Sequence, residues 1–479
     1  GEEGGVDCAL TPERCPAPDS SSPGAPPGGP SLPDSGVPDT SPPQVEERHQ
    51  SALSTLGGEP ITLRLTTRRP AGAGYRFVWE ASLGTLTLPS ETSSLSEVSW
   101  RLPACVPEGR TPSVRVTVSN ALGLTTTSTF LVAALTCTSH SAGFLYSLAV
   151  RGDGQVWSWG RAQPPAPVAD LSDVVAGLAG QWHSLAVRQD GSVWAWGNNE
   201  SGQLGDGTST ASLTPVAVKN LREVVAVAAS DGHSLAVRGD GSVWAWGKNK
   251  DGQLGDGGDT DRLAPGVVEG VTGVVALAAG DEHSVALRED GTVWTWGLNV
   301  AGQLGDGTTR SRAVPGRVPG LTGVVAVSAN AHYTLALRED GTVWAWGRSG
   351  TRSAPDTLTP TAYGPVPVQL KGLRGVLAVS AGDGHALAVL RDGSVWAWGD
   401  NSHGQLGDGT TTYRAEPARV QGLDGVRRAL AGYNHSLALR EDGALWSWGA
   451  NGDSQLGDDT RKDRALPGPV GGLRPTGLD

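Results

Sequence analysis

The 479-residue sequence has no methionine, and only three phenylalanines and six tyrosines. No apolar run approaches the roughly 18 residues that cross a bilayer. Cationic excess is missing too: the net charge is −12, so no basic field attracts nucleic acid or an anionic membrane. No Ser-His-Asp or Cys-His grouping stands out, and no carboxylate pair lies outside a turn, which is poor ground for an enzyme. The start Gly-Glu-Glu-Gly-Gly without methionine leads us to expect that a leader has been removed, most simply a signal peptide. Four cysteines agree with an oxidising compartment. The expected location is therefore secreted, or at the cell surface or envelope. A lipid-modified cysteine upstream of Gly1 is the candidate anchor.

What the sequence has instead is tryptophan at one repeated place. Trp-x-Trp-Gly starts at Trp157, Trp194, Trp244, Trp294, Trp344, Trp396 and Trp446, and four of the six intervals are 50 residues. Fourteen of the 17 tryptophans lie in these motifs; the second members are Trp159, Trp196, Trp246, Trp296, Trp346, Trp398 and Trp448. A period of this length marks a solenoid, propeller or array. One unit runs Val224–Ala229, a turn, His233–Arg238, Asp240-Gly241, Val243–Gly247, then a loop with Gly252-Gln253-Leu254-Gly255-Asp256-Gly257 and an extended Pro-Val segment. That is four short strands, one propeller blade. Small residues on the first strand suit a crowded axis. Tryptophans at i and i+2 leave one face of the third strand and fill the wider outer gap.

Before the repeats the texture changes twice. Residues 1–50 are Pro-, Ser- and Gly-rich with little aliphatic content, so a disordered tether is expected there. Within it Cys8 and Cys15 are candidates for a local disulfide. Residues 51–135 alternate with period two at 61–65, 75–79, 114–118 and 127–132, the pattern of a small antiparallel β-sandwich. Cys105 and Cys137 flank a hairpin whose ends meet, which makes them a second disulfide candidate. The motifs Phe77-Val78-Trp79-Glu80-Ala81-Ser82, Ser99-Trp100-Arg101-Leu102-Pro103 and Val116-Thr117-Val118-Ser119-Asn120 resemble bacterial immunoglobulin-like surface modules. The resemblance implies a spacer or adhesive domain.

Residues 136–479 resemble the regulator-of-chromosome-condensation repeat family through Gly-x-x-His-Ser-Leu-Ala, Asp-Gly-x-Val-Trp-x-Trp-Gly and Asn-x-x-Gly-Gln-Leu-Gly-Asp-Gly in one order. The resemblance implies an all-β, seven-bladed β-propeller, with the last outer segment closing the ring against the first blade. The family's best-known member is an exchange factor for a small GTPase on chromatin. That activity is not expected here, because the chain is acidic, lacks a basic tail and looks exported. Secreted β-lactamase-inhibitor propellers, which grip an enzyme with aromatic loops, are closer in compartment.

Several repeated polar positions read as structure. His183, His233, His283, His385 and His435 hold one blade position, which Tyr146 and Tyr333 take in the first and fifth blades. Equivalent positions on separate blades are too far apart to share a metal, and a tyrosine replaces a hydrogen-bonding histidine more readily than a ligand. The Asp-Gly pairs are hairpin turns. The Gly-Gln-Leu-Gly-Asp-Gly loops lack the alternating oxygens of a calcium loop and the Lys-Ser/Thr of a phosphate loop. No cofactor and no metal are expected.

The informative positions are those that the repeat leaves free. The turn between strands one and two and the loop between strands three and four share one face. That face carries Phe144, Trp182, Asp231, Asp281, Glu282, His332, Asp383, Tyr433 and Asn434 in successive turns. The fifth blade replaces its repeat loop by an insertion with Arg348, Arg352 and Tyr363. Rigid aromatics and acids on a regular face are what a protein-binding patch needs. The expected function is a monomeric scaffold that binds a protein through this face, with no nucleic acid and no membrane contact beyond a lipid anchor. An exchange factor or signalling regulator, and an envelope carbohydrate-binding protein or enzyme, are the alternatives.

Overall fold

The computed structural model describes residues 41–51, 54–55, 60–68, 74–82, 85–101, 106–107, 111–134, 136–137, 140–151, 153–348 and 362–471. Among them every regular element is a strand. Cys8, Cys15, Cys105 and Arg352 lie outside these residues, and of Cys137 only the backbone is described.

The N-terminal unit pairs two sheets. One orders Val45–Gln50, Ile61–Thr67, Leu95–Arg101 and Thr85–Leu86, with Ser90–Glu91 also on Leu95–Arg101; the other orders Thr125–Leu131, Ser113–Ser119 and Arg76–Ala81. Alternation along Ser113–Ser119 buries Val114, Val116 and Val118. These meet Leu63, Val98, Trp100 and Phe130 in one core. Trp79 stacks on Phe130 at 5.8 Å, and its Nε1 donates to Ser96 Oγ at 2.8 Å. The strand Val45–Gln50 corrects the expected boundary, since it lies inside the segment read as a tether. Its Val-Glu-Glu-Arg-His-Gln sequence has no apolar alternation. Polar contacts hold it: Arg48 stacks on Phe130, and Gln50 Nε2 donates to Leu131 O at 3.0 Å.

Among the described residues seven four-stranded antiparallel sheets follow, each built from four consecutive strands, the arrangement of a β-propeller. The first is His140–Ala142, Tyr146–Val150, Val156–Gly160 and Gln163–Pro167; the last is Val426–Ala431, His435–Arg440, Leu445–Gly449 and Arg464–Pro469. The last outer strand hydrogen-bonds inside its own sheet, and Val470 just after it packs with Trp159 and Ala149 of the first sheet. The last outer segment thus lies against the first blade, although no sheet among the described residues is shared between the two ends. The seventh and first sheets instead meet through the same side-chain seam that joins the others.

That seam explains the repeated histidine. Gln203 O, in the loop of the second sheet, accepts from Trp246 Nε1 at 2.9 Å and from Ser234 Oγ at 3.0 Å, both in the third. Because the Ser234 hydroxyl proton is spent on Gln203, its oxygen accepts from His183 Nε2 at 2.8 Å. This fixes the histidine as the Nε2–H tautomer. Gln455 O, Trp159, Ser147 and His435 repeat the arrangement between the seventh and first sheets. Two seams lack the Gln loop, and there tyrosine stands in for histidine. Tyr146 OH donates to His183 O at 2.8 Å, and Tyr333 OH to His385 O at 2.7 Å. Trp196, which faces the first of these seams, is only half-buried, whereas Trp246, Trp296, Trp346 and Trp448 are fully buried. The histidine, the Gln loop and the buried indole are one unit.

In six of the seven Trp pairs the first member is half-buried under an arginine at the end of the second strand, as with Arg238 over Trp244 at 5.9 Å. In the sixth sheet Leu390 takes the arginine's place and packs in one cluster with Trp396. The innermost strands carry Ala, Val and Ser around a central cavity of about 200 Å³. Thr111 and Pro112 of the N-terminal unit line it as well. That unit bears on the face of the Asp-Gly turns, where Arg115 Nη2 donates to Glu339 O at 3.0 Å and Thr129 bonds the Glu339 carboxylate. The opposite face, with the strand-one-to-two turns, is left open by this contact.

Candidate functional site

In the second, fourth, sixth and seventh sheets the turn between the first and second strands leans on the next sheet: Gln181 N donates to Ser230 O, Asp281 N to Ala331 O, Asp383 N to Gly432 O and Tyr433 N to Gly143 O. This puts the variable side chains around the cavity mouth. Phe144, Trp182 and Tyr433, from three sheets, form one aromatic group. Phe144 lies 4.8 Å from Trp182 with a tilted ring and 4.2 Å from Tyr433 edge-on. Trp182 keeps 38 % of its surface exposed, unlike the seam tryptophans. Phe144 and Tyr433 also line the cavity.

Beside the aromatics lies a group of acids. Gln181 Nε2 reaches from the second sheet to Asp281 Oδ1 on the fourth at 2.8 Å, and Ser230 Oγ joins the same oxygen at 3.3 Å. Lys248 Nζ bridges Asp231 at 3.2 Å and Glu282 at 3.4 Å. Burial works against the Lys248 charge, and the two carboxylates more than offset it, so its pKa is raised. His332 Nδ1 stands 3.8 Å from the buried Glu282.

Asp281 and Asp383 are in a different position. Burial pushes the Asp281 carboxyl up to about 8, and the like charges of Asp383, Glu282 and Asp231 add to it. Burial likewise pushes Asp383 up to about 7, with Asp400 adding and the Tyr433 hydroxyl opposing. Asp383 is 3 % exposed, and its Oδ2 has no hydrogen-bond partner among the described residues. The same holds for Asn434 Oδ1.

The loop face therefore holds Phe144, Trp182, Tyr433, Asn434, Asp231, Asp281, Glu282, His332 and Asp383 around one mouth. Tyr363 is a correction. Its hydroxyl accepts from Trp398 Nε1 at 3.0 Å, so it fills the missing Gln loop at the seam between the fifth and sixth sheets. It is not a face residue. Arg348 ends the third strand of the fifth sheet, its backbone paired with His332 and Ala362. Gln181, Lys248 and Asp400 were missed as site residues. Lys248 and Asp400 directly follow a Trp-x-Trp-Gly motif, where the repeat also varies, and that variation was the available signal.

The five seam histidines are all buried, with Nε2 on a hydroxyl of the next sheet and Nδ1 without a hydrogen-bond partner. Burial lowers them to about 3 or 4, so they remain neutral. The loop aspartates are used by their own chain. Asp256 Oδ1 accepts from Asn249 Nδ2 at 3.0 Å, and its other oxygen is 2.8 Å from Arg262. Among the described residues no three His, Cys, Asp or Glu side chains gather as a metal ion requires.

Sheets of this topology, joined by these seams, define a repeat propeller. The repeats belong to the RCC1-like family: the RCC1-like domain profile matches residues 118–354, and RCC1 repeat profiles match 392–439, 376–405 and 431–455. A 47-residue stretch is 51 % identical to the human E3 ubiquitin-protein ligase HERC2, covering 9 % of this chain and 1 % of the ligase. The mouse protein matches equally. Among solved structures, yeast Prp20 bound to Kap60 superposes with a TM-score of 0.58 at 22 % identity, over 69 % of this chain and 85 % of that one. Human WBSCR16 gives 0.57 at 26 % identity, over 64 % and 85 %.

Proposed function

We propose that the chain is a protein-binding scaffold. Its seven-bladed propeller receives a partner on the loop face, and its N-terminal unit is an immunoglobulin-like spacer in a secreted or surface-attached protein. One observation carries this reading: three aromatic rings from three sheets cluster on the face that the N-terminal unit leaves open. Scaffold positions in the same repeats keep their tryptophans in the seams, so Trp182 at 38 % exposure has no packing role of that kind. Clustered aromatics on a rigid frame supply contact area at little entropic cost. Related propellers agree with such a role, since a solved structure of yeast Prp20p is described by its binding to Gsp1p and histones.

Trp182→Ala with Tyr433→Ala should abolish recovery of the partner in a pull-down from culture medium or envelope, with the melting temperature nearly unchanged. Unaltered recovery would refute the face assignment. The exchange-factor reading rests on the family alone, and a nucleotide-release assay on candidate small GTPases decides it. A glycan array and a hydrolase panel address the carbohydrate-binding or enzymatic alternative.

A further inference from the structure

The acid group at the cavity mouth is more than a charged rim. We propose that it is a receptor for one basic side chain, a lysine or arginine of the partner's docking segment. That side chain sits between the Asp281 and Asp383 carboxylates, with the Phe144–Trp182–Tyr433 rings against its stem. This inference rests on the loop-face reading and names the chemistry of the partner there.

Four observations carry it. The ionised site lacks a donor, since Asp383 is 3 % exposed and its Oδ2 has no hydrogen-bond partner among the described residues. A buried acceptor in that state is unfavourable until a donor arrives. Nearby cations are already committed: Lys248 to Asp231 and Glu282, and Arg161 to the Tyr146 ring, while Arg348 and the cavity-lining Arg428 have contacts of their own. Among the described residues no three ligating side chains converge as a metal ion requires, whereas a guanidinium or ammonium carries several donors on one charge. Finally, Tyr433 touches both parts of the site, packing on Phe144 at 4.2 Å while its hydroxyl faces Asp383. An aromatic wall beside paired acids suits an alkyl stem ending in a cation.

Binding should depend on pH. The groups that face the pair are Asp231, Glu282 and Asp400, each an acid, then Lys248, His332 and Tyr433. Burial pushes the two carboxyls up to about 8 and about 7, and neighbouring acids add to it. An incoming cation favours their ionised forms and expels a proton, so affinity falls as pH drops through this range.

The test uses the full chain and fluorescein-labelled Gly-Gly-Arg-Gly-Gly, with the citrulline peptide as its uncharged counterpart, read by fluorescence polarisation. At about pH 8.5 the arginine peptide should bind at least roughly tenfold tighter than the citrulline one, and the gap should close near about pH 6. Asp281→Asn with Asp383→Asn should remove the gap, and Glu416→Gln on an exposed outer strand should not. Calorimetry of the unaltered protein in two buffers of different ionisation enthalpy should show proton release near pH 7. Equal binding of the two peptides, no binding of the arginine peptide, or no proton release overturns the inference. If Trp182→Ala with Tyr433→Ala weakens the probe and the asparagine pair does not, the face reading stands and the carboxylate receptor falls. If neither pair changes the binding, both fall.

Discussion

At the scale of single residues, one side chain can be burdened or relieved by burial. The seam histidines are depressed to about 3 or 4 from an ordinary value of 6.5. Their contribution to stability is complete above about pH 6.5. It is lost as pH falls from there toward the folded values, because the unfolded chain takes up the protons first. Urea midpoints measured against pH should therefore decline steeply between about pH 6.5 and about pH 4. Ser284→Ala should lower stability by about 1–3 kcal/mol in the same measurement, since it strands His233 Nε2 and removes a donor from Gln253 O. Asp383 has the opposite sign. Its carboxyl is raised, so its penalty on folding builds as pH rises above the ordinary 3.8, is complete above about pH 7, and is relieved as pH falls. Asp383→Asn should raise the melting temperature at pH 8, with the gain vanishing in acid. A residue that weakens the fold where it ionises fits a binding role better than a structural one.

At the scale of elements, the seam has interchangeable parts. Gly255 is at φ +73°, and a Cβ there would stand 2.7 Å from Trp296 Nε1. Gly255→Ala should cost more than about 1 kcal/mol in a thermal melt. Tyr363→Phe removes the acceptor of Trp398 and should cost about 0.5–1.5 kcal/mol without altering partner recovery. The strands of the repeats were legible because Trp-x-Trp-Gly and Asp-Gly recur at fixed spacing. Tyr363 was misread for the same reason. It sits in an insertion, where sequence alone shows only departure from the repeat. That it replaces a Gln carbonyl appears once Trp398 is beside it. The strand at Val45–Gln50 escaped notice because polar contacts to the neighbouring sheet, not alternation, hold it.

At the scale of the whole molecule, two faces of one ring divide the work. The Asp-Gly face meets the N-terminal unit through Arg115, Thr129 and Glu339. The other carries the aromatics and the acids. Which residues share the loop face was readable from strand parity. Their convergence on one mouth was not, because Gln181 reaching Asp281 depends on the curvature of the ring. The raised carboxyls have the same origin: each acid looks like an ordinary turn residue in sequence, and burial by neighbouring sheets changes its chemistry.

The central claim is that partners meet the ring at this mouth. Photocrosslinking tests it most directly, with p-benzoylphenylalanine placed singly at Trp182, at Leu213 on an outer strand and at Leu88 in the N-terminal unit; both leucines are more than nine-tenths exposed. The account predicts partner adducts from position 182 and none from 213 or 88. Adducts from 88 or 213 with none from 182 would contradict it, and would move the contact to the rim or to the N-terminal unit.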